Sequence, residues 1–144
     1  MQLLVIAKEP VPGQVKTRLC PPCTPEQAAD IAEAGLADTL ATVAATPASR
    51  RVIALDGRPG PWLPAGFEVV SQRSGGLGNR LAGAFEDCFH VSDEPVVLIG
   101  MDTPQVRPEQ LVSVQALLES TADAVVGLAP DGGCLLYTSP SPRD

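Results

Sequence analysis

Three positive side chains fall within one short loop near the start of the chain. Lys8-Glu9-Pro10-Val11-Pro12-Gly13-Gln14-Val15-Lys16-Thr17-Arg18-Leu19 places Lys8, Lys16 and Arg18 together. The prolines restrict the loop path, and Gly13 permits a tight turn or a close approach to a ligand. Lysines and an arginine that converge in this way suit phosphate oxygens, with Arg18 able to bind as a fork. Further along, Gly100-Met101-Asp102-Thr103-Pro104 offers a carboxylate, and Pro130-Asp131-Gly132-Gly133 offers a second. A basic loop with two carboxylates would hold a divalent cation on a nucleotide diphosphate or triphosphate, and the cation would neutralise charge developing on the leaving phosphate. Taken singly, each piece has a plainer reading. Lys16 and Arg18 would also fit a solvated basic loop, and Asp102 a turn before Pro104. The Gly-Gln-Val-Lys-Thr run is not a P-loop, which needs Gly directly before Lys-Thr or Lys-Ser.

These residues need elements to present them. The apolar run 3–7 reads as a buried parallel strand. A Pro-rich loop follows, and Thr24, Pro25 and Gln27 mark the start of an Ala-rich helix over about 25–45. Strands are expected at 51–55, 67–71, 95–99 and 122–127, and helices at about 79–89 and 108–119. A Gly/Pro turn region joins the second and third strands. Strands alternating with helices predict an α/β fold on a mostly parallel sheet. The basic loop and both carboxylates then fall after the first, fourth and fifth strands. Open parallel sheets bind ligands at such carboxyl ends.

Composition agrees with a folded globular domain. Of 144 residues, 44% are hydrophobic and 19% charged, so the chain can build a core. Aromatics are only 3%, which leaves the core to Ala, Val, Leu and Ile. A net charge of −7 argues against a nucleic-acid binder, while leaving room for a local basic cluster that holds a small anion. The opening apolar run is too short for a signal peptide or a membrane span, and no other run is long enough to cross a bilayer. A cytoplasmic protein with reduced cysteines is expected, with neither nucleic acid nor membrane as partner.

Cys20-Pro-Pro-Cys23 is a CxxC pair that would fit redox chemistry or half a zinc site. It has no second CxxC and follows the basic loop instead of a strand, so two small residues in a Pro-rich loop is the simpler reading. His90 is expected to close a helix, where its charge suits the helix dipole. Cys88 reads as a small core residue, and Trp62 as packing at the domain edge or stacking on a ligand.

The last residues are of another kind. From Cys134 to Asp144 the sequence reads CLLYTSPSPRD, identical throughout to one reading frame of a sequencing-library transposon adapter. Such a segment is set apart from fold reasoning. The expected organisation is therefore residues 1–133 as the N-terminal part of one domain, cut short at the C-terminus, and 134–144 as a non-native tail. On that reading Cys134, Tyr137 and Arg143 carry no functional weight.

Four motifs occur in order: Lys8-x-Pro-x-Pro-Gly-x-Val-Lys-Thr-Arg-Leu, then Gln72-x-x-Gly-Gly-x-Leu-Gly with Arg80, then Leu98-Ile-Gly-x-Asp-x-Pro, then Asp131-Gly-Gly. Together they resemble a glycosyltransferase-A-like family, the radical-SAM/selenodomain-associated or arsenosugar-type transferases. The resemblance runs from Met1 to Gly133. It implies a Rossmann-like GT-A fold, related to molybdenum-cofactor and phospholactate nucleotidyltransferases. It further implies a metal-dependent transferase acting between a nucleotide-activated small-molecule donor and an acceptor of unspecified kind. Lys16 and Arg18 would contact the donor phosphates, Lys8 and Gly13 would belong to the same nucleotide site, and Arg18 would take part in catalysis with Asp131. Gly75, Gly76 and Gly78 would line the donor pocket, with Gln72 and Arg80 nearby. Asp102 would bind Mg²⁺ or Mn²⁺, and Asp131 would be a second ligand or act on the acceptor. Gln14 departs from the pattern, since many relatives carry Lys there. Glycosyl transfer is the leading expectation. Nucleotidyl transfer with release of pyrophosphate, and a nucleotide-binding module without catalysis, are the alternatives.

Overall fold

The computed structural model describes residues 1–120, 124–128 and 134–138. Strand β1 (Gln2–Lys8) leads through a loop and a 3-10 turn (Thr17–Leu19) into helix α1 (Pro25–Ala45). Then come β2 (Arg50–Asp56), β3 (Glu68–Ser71), α2 (Leu77–Val91), β4 (Val96–Gly100), α3 (Pro108–Ser120), β5 (Ala124–Leu128) and β6 (Cys134–Thr138). The sheet order is β3-β2-β1-β4-β6-β5. The first four of these strands are parallel, and β6 runs antiparallel to both β4 and β5.

α1 begins where its sequence says it should. Thr24 is the N-cap, its hydroxyl accepts from the Gln27 amide, and the Gln27 side chain accepts from the Thr24 amide. This capping box satisfies two donors that an α-helix cannot pair internally. α2 starts at Leu77, two residues before the expected position, with Gly76 as N-cap.

Alternation along the strands divides the core into two layers. Leu3, Val5, Ala7, Ile53, Leu55, Val97 and Ile99 pack with Leu36, Leu40 and Val43 of α1 and with Leu111 and Leu118 of α3. Leu4, Val52, Ala54, Val96 and Leu98 face the other way, onto Ala84 and Cys88 of α2. Both faces of the parallel sheet are thus covered, as such sheets require. Cys88 is fully buried, and desolvation pushes its thiol up to about 11, which suits an inert core residue. His90 sits in the last turn of α2, as expected. Trp62, in the segment joining β2 to β3, packs against the α1-side core.

One connected polar cluster secures the sheet. Gln2 is completely buried, donates to the carbonyls of Ser92 and Glu94, and accepts from Arg50. Arg50 in turn binds Glu68 of β3. That hydrogen bond holds the Glu68 carboxyl below its ordinary range.

One difference concerns the end of the chain. The segment that sequence reasoning set apart from the fold supplies β6, between β4 and β5. Five residues, Cys-Leu-Leu-Tyr-Thr, are enough for a short strand, and their composition suits one. β5 therefore does not lie directly beside β4.

Candidate functional site

The chain runs outward from β1 to β2 and β3, then returns to the other side of β1 as β4. The β1–β4 boundary is thus the switch in strand order, where α/β sheets open a crevice at their carboxyl ends. The register places Ile6 opposite Gly100 and Lys8 opposite Asp56 at this edge. The Lys8 amide donates to the Met101 sulfur at 3.3 Å, which ties the two strand ends together.

A cavity of about 250 Å³ lies there, lined by Lys8, Gln14, Val15, Lys16, Ala32, Met101 and Asp102. The Lys8 ammonium donates to the Gln14 carbonyl at 3.0 Å and so closes the basic loop back on its own start. Lys16 Nζ meets Asp102 Oδ2 at 2.7 Å, joining the loop after β1 to the loop after β4. Lys16 itself sits in the left-handed region, with φ 47° and ψ 39°. A non-glycine residue pays roughly 1–2 kcal/mol for that conformation. Here it accompanies the turn that brings the ammonium to Asp102. Gly13 also has a positive φ of 83°, which explains a glycine at this bend. Two ammonium groups and one carboxylate line the cavity, so its local charge is positive in an acidic protein.

The second group of expected residues lies on the neighbouring side of β1. Gln72 donates to the carbonyls of Ala7 and Ala54, at the ends of β1 and β2, and accepts from Arg80. Arg80 Nε is buried with no hydrogen-bond partner among the described residues. A buried guanidinium nitrogen of this kind calls for an acceptor. Gly75 and Gly76 lead into α2; Gly76 is its N-cap without a side-chain cap, and Gly78 lies in the first turn. The first amides of α2 are therefore open to an anionic group. Arg18 is exposed on the 3-10 turn and does not line the cavity. Asp131 lies outside the described residues.

Sequence reasoning missed the support beneath Asp102. Thr39 of α1 is 1% exposed. Its hydroxyl lies 2.9 Å from the Gly35 carbonyl and 3.1 Å from the Met101 carbonyl, and accepts from the Thr103 amide. A side chain at Gly35 would come within 3.1 Å of Asp102 Oδ1. Thr103 further braces the loop by donating to the Gly100 carbonyl. The i, i+4 spacing of Gly35 and Thr39 puts them on one helix face, but only the fold shows what that face meets.

The profile of one protein family, described as uncharacterized proteins conserved in bacteria (DUF2064), matches residues 29–141. The chain belongs to this DUF2064 family. Among solved structures, a proposed nucleotide-diphospho-sugar transferase from Desulfovibrio desulfuricans G20 is 27% identical, with a TM-score of 0.84. The alignment covers 96% of this chain and 63% of that one, so the DUF2064 chain spans less than two thirds of its relative's length. Two more distant structures share the fold. Rv0371C from Mycobacterium tuberculosis H37Rv, solved as a complex with manganese, is 18% identical (TM-score 0.52), with 96% of this chain and 70% of that one covered. The 2-C-methyl-D-erythritol 4-phosphate cytidylyltransferase from Thermus thermophilus is 17% identical (TM-score 0.51), with 99% and 69% covered. No curated protein sequence matches the chain. The expected α/β fold of nucleotide-diphospho-sugar transferases is thus the observed one. No helix among the described residues is long and apolar enough to cross a membrane.

Proposed function

We propose that this DUF2064 protein is a metal-dependent transferase that uses a nucleotide-activated donor, and that it transfers a glycosyl group. The observation that carries this reading is the Lys16–Asp102 pair, 2.7 Å apart beside Lys8, at the switch point of the sheet. The Desulfovibrio relative supports the class of donor.

Lys8 and Lys16 would take the donor phosphates as point charges, and Arg18 would add a fork from the 3-10 turn. Gln72, Arg80 and the opening of α2 would receive the rest of the nucleotide. Asp102 fits a divalent cation as a hard oxygen ligand that is 60% exposed; Lys16 now holds one of its oxygens, and the cation would take that place as the ammonium turns to the phosphates. Among the described residues no group of three His, Cys, Asp or Glu side chains converges on a point. A cation at Asp102 would therefore draw its other ligands from phosphate oxygens and water, as Mg²⁺ commonly does, with Asp131 as a further protein ligand or as the group acting on the acceptor. The bound cation, Mg²⁺ or Mn²⁺, would stabilise negative charge on the departing phosphate.

Nucleotidyl transfer uses the same phosphate-binding parts, and the likeness of the Thermus cytidylyltransferase fold keeps it as the second reading. The products separate the two. The protein is incubated with Mn²⁺, a panel of nucleotide sugars and the four nucleoside triphosphates, and the phosphates are resolved by ion exchange. Nucleoside diphosphate from a nucleotide sugar is the expected product. Pyrophosphate from a triphosphate would replace glycosyl by nucleotidyl transfer, and binding without either product would leave a nucleotide-binding module.

A further inference from the structure

We propose that the Gly35–Thr39 face of α1 is the positioning element for Asp102, setting the direction in which its carboxylate meets the metal–phosphate ligand. The inference rests on the reading of Asp102 given above and adds residues to it that touch neither metal nor nucleotide.

Two independent contacts carry it. The first is the Thr39 hydroxyl, which reaches the carbonyl before Asp102 and the amide after it. It lies 3.1 Å from Met101 O and accepts from Thr103 N at 3.3 Å. Asp102 is thus bracketed on both sides by one buried side chain, 1% exposed, on a helix more than sixty positions away in sequence. The hydroxyl has a single proton to share between Met101 O and its own helix carbonyl at Gly35, so the bracket depends on an oxygen that both donates and accepts. The second contact is an absent side chain. A Cβ at Gly35 would lie 3.1 Å from Asp102 Oδ1, a tight contact that the carboxylate would have to relieve by shifting a few tenths of an ångström. The other oxygen, Oδ2, faces Lys16 at 2.7 Å. One oxygen lies over the helix at Gly35, and the other is held by Lys16 at the cavity.

Gly35 lies within a 21-residue helix, where glycine is unfavourable. Its presence there costs helix propensity, and what it leaves room for is the Asp102 carboxylate. Replacement by alanine should favour the helix while disturbing the carboxylate.

The test is calorimetric titration of the parent, Thr39→Val, Thr39→Ser, Gly35→Ala and Asp102→Ala. The probes are uridine, cytidine, guanosine and adenosine diphosphates, each with and without Mn²⁺, and the tightest binder is used throughout. The readout is the gain in affinity that Mn²⁺ confers. Thr39→Val should cut that gain about tenfold, in line with loss of a buried bracket, while metal-free affinity stays unchanged. Thr39→Ser should restore it. Gly35→Ala should reduce the gain with a melting temperature equal to or above the parent's. If both variants keep the full Mn²⁺ gain while Asp102→Ala loses it, the positioning role is wrong and the metal role of Asp102 stands. If Thr39→Val and Gly35→Ala lower melting temperature and metal-free affinity together, their role is structural and the proposal falls. If the parent shows no Mn²⁺ gain at all, the reading of Asp102 and this inference fall together.

Discussion

At the scale of single residues, Lys16 connects the most physics. It holds a left-handed backbone conformation, lies against Asp102 and lines the cavity beside Lys8. Its replacement by alanine removes the ammonium but not the loop. Nucleotide affinity measured by calorimetry should fall roughly ten- to hundredfold, the usual size of a hydrogen bond to a charged group. An affinity equal to the parent's would place the phosphates elsewhere. The meeting of Lys8, Lys16 and Asp102 was legible in the sequence, because each follows an apolar run that had to be a strand in one parallel sheet. Thr39 and Gly35 were not. In the sequence they are two small residues inside an Ala-rich helix, and their significance comes from a loop that folding carries against them. The Arg80–Gln72 contact could be read only as a neighbourhood, since the shared partner is backbone at the ends of β1 and β2.

At the scale of elements, α1 is both a wall of the core and the seat of the site. Its buried Leu36, Leu40 and Val43 grip the sheet, while Ala32, Gly35 and Thr39 face the cavity or the Asp102 loop. Its start was readable to the residue, because Thr-Pro-x-Gln encodes the cap, the first turn and the reciprocal bond locally. Thr24→Ala should cost about 1 kcal/mol and lower the thermal midpoint by about 3 °C, followed by circular dichroism. Because Thr24 does not line the cavity, nucleotide affinity should not change. The third parallel pairing was harder to anticipate. β2 and β3 are joined by irregular Gly- and Pro-rich chain, without the helix that usually makes such a crossover. The strand β6 was invisible for another reason: Cys134 to Thr138 was set apart by its adapter identity, and the sheet nevertheless holds it antiparallel beside β4.

At the scale of the whole molecule, an acidic chain gathers positive charge at one sheet edge. Two layers of aliphatic side chains fix the strands, the strand order opens a crevice between β1 and β4, and the loops of both strands meet across it. The same scaffold is shared with the Desulfovibrio relative, the manganese-bound mycobacterial protein and the cytidylyltransferase. A fold this widely used does not name its reaction; the proposal therefore rests on the side chains at the switch point. The most direct test of the central claim is calorimetric titration of a nucleoside diphosphate with and without Mn²⁺, in the parent and in Asp102→Ala. The account predicts tighter binding with Mn²⁺ in the parent, and loss of that increment in a variant whose circular dichroism spectrum is unchanged. An equal Mn²⁺ dependence in the two proteins would contradict it.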